Sequence, residues 1–399
     1  MANYVDSAIP LSGNGAMYSG AGVLHLVQTP SNGLYAVVLG TGGFLQFSKS
    51  LDNGITWRPP VLVASVLVTN VAVWYDRWSN IAAGLIHIAY TGSAADDTFY
   101  RTINTESSDA LSTQTVIFAG ASTASGGHLA ITRAVGGNVY CKTVIDAGAE
   151  GGFYRLPNAN VPSGAWDAAR TVDEAIATTD QMILQPDFDA ADNQDIMAFF
   201  WDASANEISR KLYDDSADTW AETSISTGMV DNSASNGFPH FAAAPDISGT
   251  QSVLIAWNGI DTANADLKCW TVDSGTITAC TDVVTNGTDD QGLAAIAIDT
   301  ATGYWHVFYF GKSDGSETWG TSGNIYTKVS MDSGTTWGPE TLVSTFATQV
   351  NWIFTVPRFD GNIYSRPPVA FNANNATGNS AYVLAPLPRR RASHQLYGG

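Results

Sequence analysis

Positive charge is scarce in this 399-residue chain. Eighteen basic residues, six of them lysine, stand against 37 acidic ones, for a formal charge of −19. A surface so acidic repels a phosphate backbone and disfavours nucleic acid as a sequence-read ligand. Glutamate is also rare, seven residues against 30 aspartates. Aspartate favours turns through short bonds to the backbone and glutamate favours helices, so the acids themselves point to strands and turns. Three cysteines (Cys141, Cys269, Cys280) are too few for a disulfide scaffold and lack zinc-site spacing. The longest apolar stretch, Val61 to Tyr75, is broken by Ser65, Thr69 and Asn70, short of the ~18–20 apolar residues a membrane helix needs. The amino terminus has neither the basic start nor the apolar core of a secretory signal, so export is not expected.

What is present is a repeat. An apolar strand recurs six times, at Gly33–Leu39, Gly84–Tyr90, Gly127–Arg133, Asp195–Trp201, Gln251–Trp257 and Gly303–Tyr309. Its near-continuous hydrophobicity predicts strands covered on both faces. A second strand with a basic residue follows each copy: Lys49, Arg101, Lys142, Arg210 with Lys211, Lys268 and Lys328. Tight turns come next, at Asp52-Asn53-Gly54, Asp146-Ala147-Gly148, Asp273-Ser274-Gly275 and Asp332-Ser333-Gly334, with Asp215-Ser216-Ala217 as a variant. Asp-X-Gly supplies a local acceptor and a residue tolerant of positive φ, as a hairpin requires. Cys269 and Cys280 flank one such turn symmetrically and are expected either to bridge or to stay as two buried thiols. With a further apolar strand before many hairpins and a short one after, the pattern predicts an all-β fold. The reading is a six-bladed β-propeller of four-stranded antiparallel blades over residues 1–387, followed by a basic tail, 388–399. The segment from Asn351 to Leu387 either closes that ring with the amino-terminal strand or forms a seventh blade.

Two turns extend to Ser50-Leu51-Asp52-Asn53-Gly54-Ile55-Thr56-Trp57 and Ser330-Met331-Asp332-Ser333-Gly334-Thr335-Thr336-Trp337. This Ser-X-Asp-X-Gly-X-Thr-Trp pattern resembles the Asp-box, or bacterial neuraminidase repeat, of sialidase-like propellers; Tyr213–Trp220 resembles a worn copy. The resemblance implies that both turns lie on the blade periphery and are structural. It also implies a central site of three arginines, a Tyr–Glu pair and an acid/base Asp. The family's Arg-Ile-Pro motif is missing, and no flanking pattern singles out Arg77, Arg101, Arg133, Arg155, Arg170, Arg210, Arg358 or Arg366. No catalytic or cofactor-binding residue is therefore assigned, and activity is left open, leaning against an enzyme. If the chain is an enzyme, the resemblance implies a glycoside hydrolase.

His87 and His306 occupy matching strand positions, and His25 and His240 lie in other strands. They read as strand histidines sooner than metal ligands, for lack of short His/carboxylate spacing. Asp187-Phe188-Asp189 and Asp289-Asp290 offer oxygen ligands for Ca²⁺ without a complete loop pattern, so no cofactor is expected and Ca²⁺ is the alternative. Of the tryptophans, Trp57, Trp201, Trp220, Trp257, Trp305 and Trp337 fall at repeated positions, whereas Trp78, Trp166 and Trp319 fall in loops suited to stacking on sugar rings. Arg389, Arg390 and Arg391 form a basic arm able to dock on an acidic neighbour. The first functional reading is thus a non-catalytic structural propeller of a large assembly. It resembles bacteriophage tail hub, nozzle or host-adhesion proteins, made in the host cytoplasm and partnered by copies of itself or other virion proteins. The alternative is a glycan-binding adhesin or a diverged exo-sialidase-type hydrolase acting on cell-surface glycans.

Overall fold

The computed structural model describes residues 4–10, 24–31, 33–40, 42–64, 66–75, 84–92, 97–120, 129–143, 152–172, 181–202, 204–228, 241–246, 251–257, 267–285, 292–314, 316–317, 324–345, 350–359, 366–375 and 378–386. These form a ring of seven antiparallel blades, so the seventh-blade alternative is the one realised. From the axis outward, blade 1 is Leu24–Gln28, Leu34–Leu39, Leu45–Ser50 and Val61–Ala64. Blade 2 is Val68–Tyr75, Leu85–Gly92, Asp97–Asn104 and Thr115–Phe118. In blade 3, Ala130–Arg133, Val139–Lys142 and Phe153–Leu156 are followed by a single bridge from Phe153 to Arg170. Blade 4 is Gln181–Pro186, Ile196–Asp202, Glu207–Asp214 and Thr219–Thr227. Blade 5 is Phe241–Asp246, Gln251–Trp257, Leu267–Val272 and Ile277–Ala279. Blade 6 is Gly292–Asp299, Trp305–Phe310, Ile325–Ser330 and Thr341–Ser344.

Blade 7 joins the two ends of the chain. Val350–Thr355, Val369–Asn375 and Gly378–Pro386 supply its inner three strands, and Tyr4–Ala8 is the outermost, paired from Tyr4 with Pro386 to Ala8 with Tyr382. The carboxy-terminal segment therefore does both things expected of it as alternatives. Inner strands of successive blades touch all round the ring, with blade 7 returning to blade 1.

The apolar repeat has its cause in this packing. Second strands are sandwiched between neighbouring blades, and every residue of Leu34–Leu39, Leu85–Gly92 and Trp305–Phe310 is buried. Nothing on these strands faces water, which suppresses polar alternation. Outer strands have a free edge and are polar, as in the largely exposed Thr219–Thr227.

The third repeat corrects one register. The sequence pattern aligns Gly127–Arg133 with the second strands, but Ala130–Arg133 contacts the inner strands of blades 2 and 4 and is the innermost strand of its blade. Lys142 accordingly sits on a second strand, and the basic residue of the third strand is Arg155. The Asp146-Ala147-Gly148 turn lies outside the described residues, as does the arm with Arg389, Arg390 and Arg391.

Candidate functional site

The two octapeptides build the same turn between third and outer strands. Ser50 Oγ donates to the Asp52 carboxylate at 2.7 Å and accepts the Gly54 N–H at 2.7 Å, while the Thr56 N–H and hydroxyl reach Asp52 at 2.8 and 2.7 Å. The corresponding distances around Ser330, Asp332, Gly334 and Thr336 are 2.9, 2.8, 2.8 and 2.6 Å. Hydrogen bonds from Thr336 hold the Asp332 carboxyl below the usual carboxylate range. The glycines are required by the backbone, because Gly54 and Gly334 take φ of 100° and 81°. Both oxygens of each carboxylate thus accept hydrogen bonds inside the turn.

The tryptophans that follow bind across the seam to the preceding blade. Trp57 donates its indole N–H to Ser7 Oγ of blade 7 at 3.1 Å, and Trp337 donates to the Thr281 carbonyl of blade 5 at 2.8 Å. Trp220, in the worn copy, does the same to the Thr171 carbonyl of blade 3 at 3.0 Å. In that turn Asp214 takes the capping place, accepting the Ala217 N–H at 2.8 Å, and Asp215 points elsewhere.

Basic side chains of the third strands also stitch seams. Lys49 pairs with Asp109 of blade 2 at 2.7 Å, and Arg155 pairs with Asp215 of blade 4 at 2.8 Å and Asp167 at 2.6 Å. Arg170 joins this group, 3.1 Å from Asp215 and in contact with the Tyr213 hydroxyl. Arg101 donates to the Val63 carbonyl of blade 1 at 2.6 Å, Arg210 to the Asp273 carbonyl of blade 5 at 2.6 Å, and Lys328 to the Val283 carbonyl of blade 5 at 2.8 Å. Lysine and arginine carry apolar stems through a packed interface while their heads find oxygen, which explains their use here. Arg366 stacks its guanidinium 6.0 Å from the Tyr4 ring centroid. Arg155 and Arg170 thus meet at Asp215, on the seam of blades 3 and 4. Arg77 lies outside the described residues, as does the Arg358 side chain.

His87 and His306 are core residues, 0% and 6% exposed. His87 Nδ1 is 2.7 Å from the Tyr100 hydroxyl, and burial, helped by the nearby Arg133 guanidinium, pushes its pKa down to about 3. Burial likewise lowers His306 to about 4, against the pull of Asp299. Both imidazoles are neutral at physiological pH. His240 lies outside the described residues. Among the described residues no group of three or more His, Cys, Asp or Glu is placed to hold a metal ion, and Asp289-Asp290 falls outside them.

Carboxylates gather at one end of the ring, where the inner strands of blades 4, 5 and 6 finish in Asp187, Asp246 and Asp299, each at most 5% exposed. Asp299 caps its hairpin by accepting the Ala301 N–H at 2.8 Å and the Thr302 hydroxyl at 2.6 Å. Burial and the adjoining Asp189 raise Asp187 to about 7, whereas Asp189, despite some burial, is held low by the bonds it accepts from Asp187 and Ser274. Asp187 and Asp189 therefore share one proton near neutral pH, an acid–base couple in chemistry. At 4% exposure Asp187 is closed to a substrate, and the Asp189 bond to the Ser274 N–H at 3.1 Å ties blade 4 to blade 5. Sequence reasoning reads Asp215 as a turn residue, not as the partner of Arg155 and Arg170, and passes over Asp109, Asp246 and Asp299; an aspartate closing a buried inner strand was the available signal for the last two.

The aromatics divide similarly. Trp201 and Trp305 are fully buried, and Trp166, expected in a sugar-facing loop, packs edge-on against Tyr100 with centroids 5.3 Å apart. Trp78 and Trp319 lie outside the described residues. Arg101, Arg155 and Arg210, His87 and His306, and Trp57, Trp201, Trp305 and Trp337 thus serve the seams and the core.

No protein-family model matches the chain, and no curated protein matches it in sequence. Solved structures match in fold. A polysaccharide lyase, an ulvan lyase bound to GlcA(1-4)Rha3S, superposes with a TM-score of 0.56 at 10% identity over 93% of this chain and 95% of that one. A mutant of AofleA from Arthrobotrys oligospora gives 0.51 at 10% identity over 86% and 91%. The Hadza microbial sialidase Hz136 gives 0.42 at 12% identity over 92% and 65%, too distant to carry an argument. At such identities the likeness concerns the fold, a β-propeller, alone.

Proposed function

We propose that this chain is a carbohydrate-binding propeller. The observation that carries the reading is the end-to-end correspondence of its ring with that of a polysaccharide lyase solved with its saccharide, covering 93% of this chain and 95% of the other. Propellers bind ligands through the connections at the ends of a rigid ring, and those connections vary freely while the blades persist. Here the framework residues are committed to seams, which leaves recognition to the connections. Trp78 joins the inner and second strands of blade 2, and Trp319 joins the second and third strands of blade 6. An indole is the kind of flat apolar surface on which a sugar ring stacks. With a formal charge of −19, the long-range field repels polyanions, so neutral sugars are the expected ligands in preference to sulfated or uronate-rich ones.

The Ser50–Trp57 and Ser330–Trp337 turns are structural in this reading, and the basic arm is not needed for ligand binding. The assembly role drawn from composition gains no support from the ring or from the fold likenesses. The test is a glycan microarray probed with the full chain, run beside turnover assays on sialosides, other glycosides and polysaccharides. Binding without turnover is the expected result. Inner-to-second and second-to-third connections leave the ring at opposite ends, so Trp78→Ala and Trp319→Ala tell which end holds the sugar. Turnover would make the chain an enzyme, and silence across the array would overturn the reading.

A further inference from the structure

Cys269 lies on the third strand of blade 5, and Cys280 follows its outer strand directly. Trp270 pairs with Ala279 in that ladder, and the Cys280 N–H donates to the Cys269 carbonyl at 2.9 Å, so the two cysteines face each other. Both are free thiols, Cys269 buried and Cys280 half-buried, and their side chains are hydrogen-bonded together. Directly opposed positions on antiparallel strands bring side chains close enough for a cross-strand bridge after a small adjustment.

Their surroundings add a consequence. A Cβ built on Gly334 would come within 2.9 Å of Cys280 Cβ and Sγ, so the turn of blade 6 packs straight onto this thiol. The next residue, Thr281, bonds that turn three times: its N–H to the Gly334 carbonyl at 3.0 Å, its hydroxyl to the Thr335 carbonyl at 2.7 Å, and its carbonyl to the Trp337 indole at 2.8 Å. The thiol pair thus adjoins the seam between blades 5 and 6.

We propose that Cys269 and Cys280 form an oxidisable dithiol, a modification site for low-molecular-weight disulfides, whose bridged form fastens the edge of blade 5 beside this seam. The half-exposed Cys280 is the entry point. The Cys269 thiol donates to the Cys280 sulfur and holds that group below the ordinary thiol value, whereas Cys269 itself is pushed up by this bond and by burial. Cys280 thiolate attacks one sulfur of the reagent, the reagent's S–S bond breaks, and one thiolate leaves. Cys269 gives up its proton and attacks Cys280 Sγ, expelling the second thiolate. One S–S bond forms in the protein, the reagent is reduced to two thiols, and the two protons lost by the cysteines go to those thiols. Cys141 is buried with a raised pKa and takes no part.

The experiment uses the folded full chain and glutathione disulfide as probe, with peptide mapping by mass spectrometry. The expected product is a Cys269–Cys280 linked peptide with Cys141 still a thiol, reversed by dithiothreitol. The thermal midpoint should rise by about 3 °C, since the bridge shortens the unfolded chain's freedom in a domain of this size. The Cys269→Ser variant should stop at the mixed disulfide on Cys280. Wild-type protein that keeps all its thiols, or that accumulates the mixed disulfide without closing it, would overturn the proposal.

Discussion

Replacing Trp57 tests whether these seams are held by the bonds described. Its indole donates to Ser7 Oγ, and Ser7 Oγ in turn contacts the Gly54 carbonyl, so one side chain helps fasten the seam between blade 7 and blade 1. Trp57→Phe keeps an aromatic ring but removes the donor. The loss of one partly buried neutral hydrogen bond is worth about 0.5–1.5 kcal/mol. Trp57→Ala also removes packing against the cluster around Leu34, Val383 and Ala381. A fully buried tryptophan truncation costs about 3–5 kcal/mol; for a half-buried ring about 2–3 kcal/mol is expected. Urea unfolding of the full chain gives both values from the shift of the midpoint at constant slope. A double-mutant cycle of Trp57→Phe with Ser7→Ala should show a coupling of about 0.5–1 kcal/mol, because the two changes delete one bond. Strict additivity, or a Trp57→Ala protein as stable as the parent, would refute the closure argument.

Three further outcomes follow from the same geometry. Arg155→Met leaves Asp167 without its guanidinium and Asp215 with Arg170 alone, and should cost about 2 kcal/mol in urea unfolding, less than the 3–5 of a fully buried broken pair. His87 is harder to protonate folded, at about 3, than unfolded, at about 6.5, so the native state binds fewer protons and stability falls as pH drops through that window; between pH 7 and pH 5 its share is about 2 kcal/mol, and His87→Gln should lose that slope. Asp187 works in the opposite sense: its folded pKa, about 7, lies above the ordinary 3.8, so its contribution is complete below pH 4 and is lost as pH rises towards 7. Asp187→Asn, which still donates to Asp189, should flatten that loss, so its stability relative to the parent should improve from acid to alkaline urea melts.

The propeller was legible in the chain because second strands buried on both faces leave an unmistakable apolar run, as at Leu34–Leu39 and Trp305–Phe310. The blade number was harder to read. Blade 7 draws its outer strand from Tyr4–Ala8, at the opposite end of the sequence, so no contiguous repeat marks it. Blade 3 hid its register because Ala130–Arg133, although innermost, is buried throughout like a second strand. The turns around Asp52 and Asp332 were legible because the bonds that shape them, between Ser, Asp, Gly and Thr, span no more than four residues. Partners such as Asp109 for Lys49, 60 residues away, were not, since only the ring brings them together. Loop tryptophans could not be sorted by sequence either, and Trp166 lies against Tyr100 because its chain segment folds back over the seam of blades 2 and 3.

Carbohydrate recognition is tested most directly by affinity electrophoresis of the native full chain through gels cast with neutral or with sulfated polysaccharides. Retardation in at least one neutral gel, relieved by free oligosaccharide of the same kind, is the predicted result. Unchanged mobility in every gel, or retardation by the sulfated polymers alone, would contradict it.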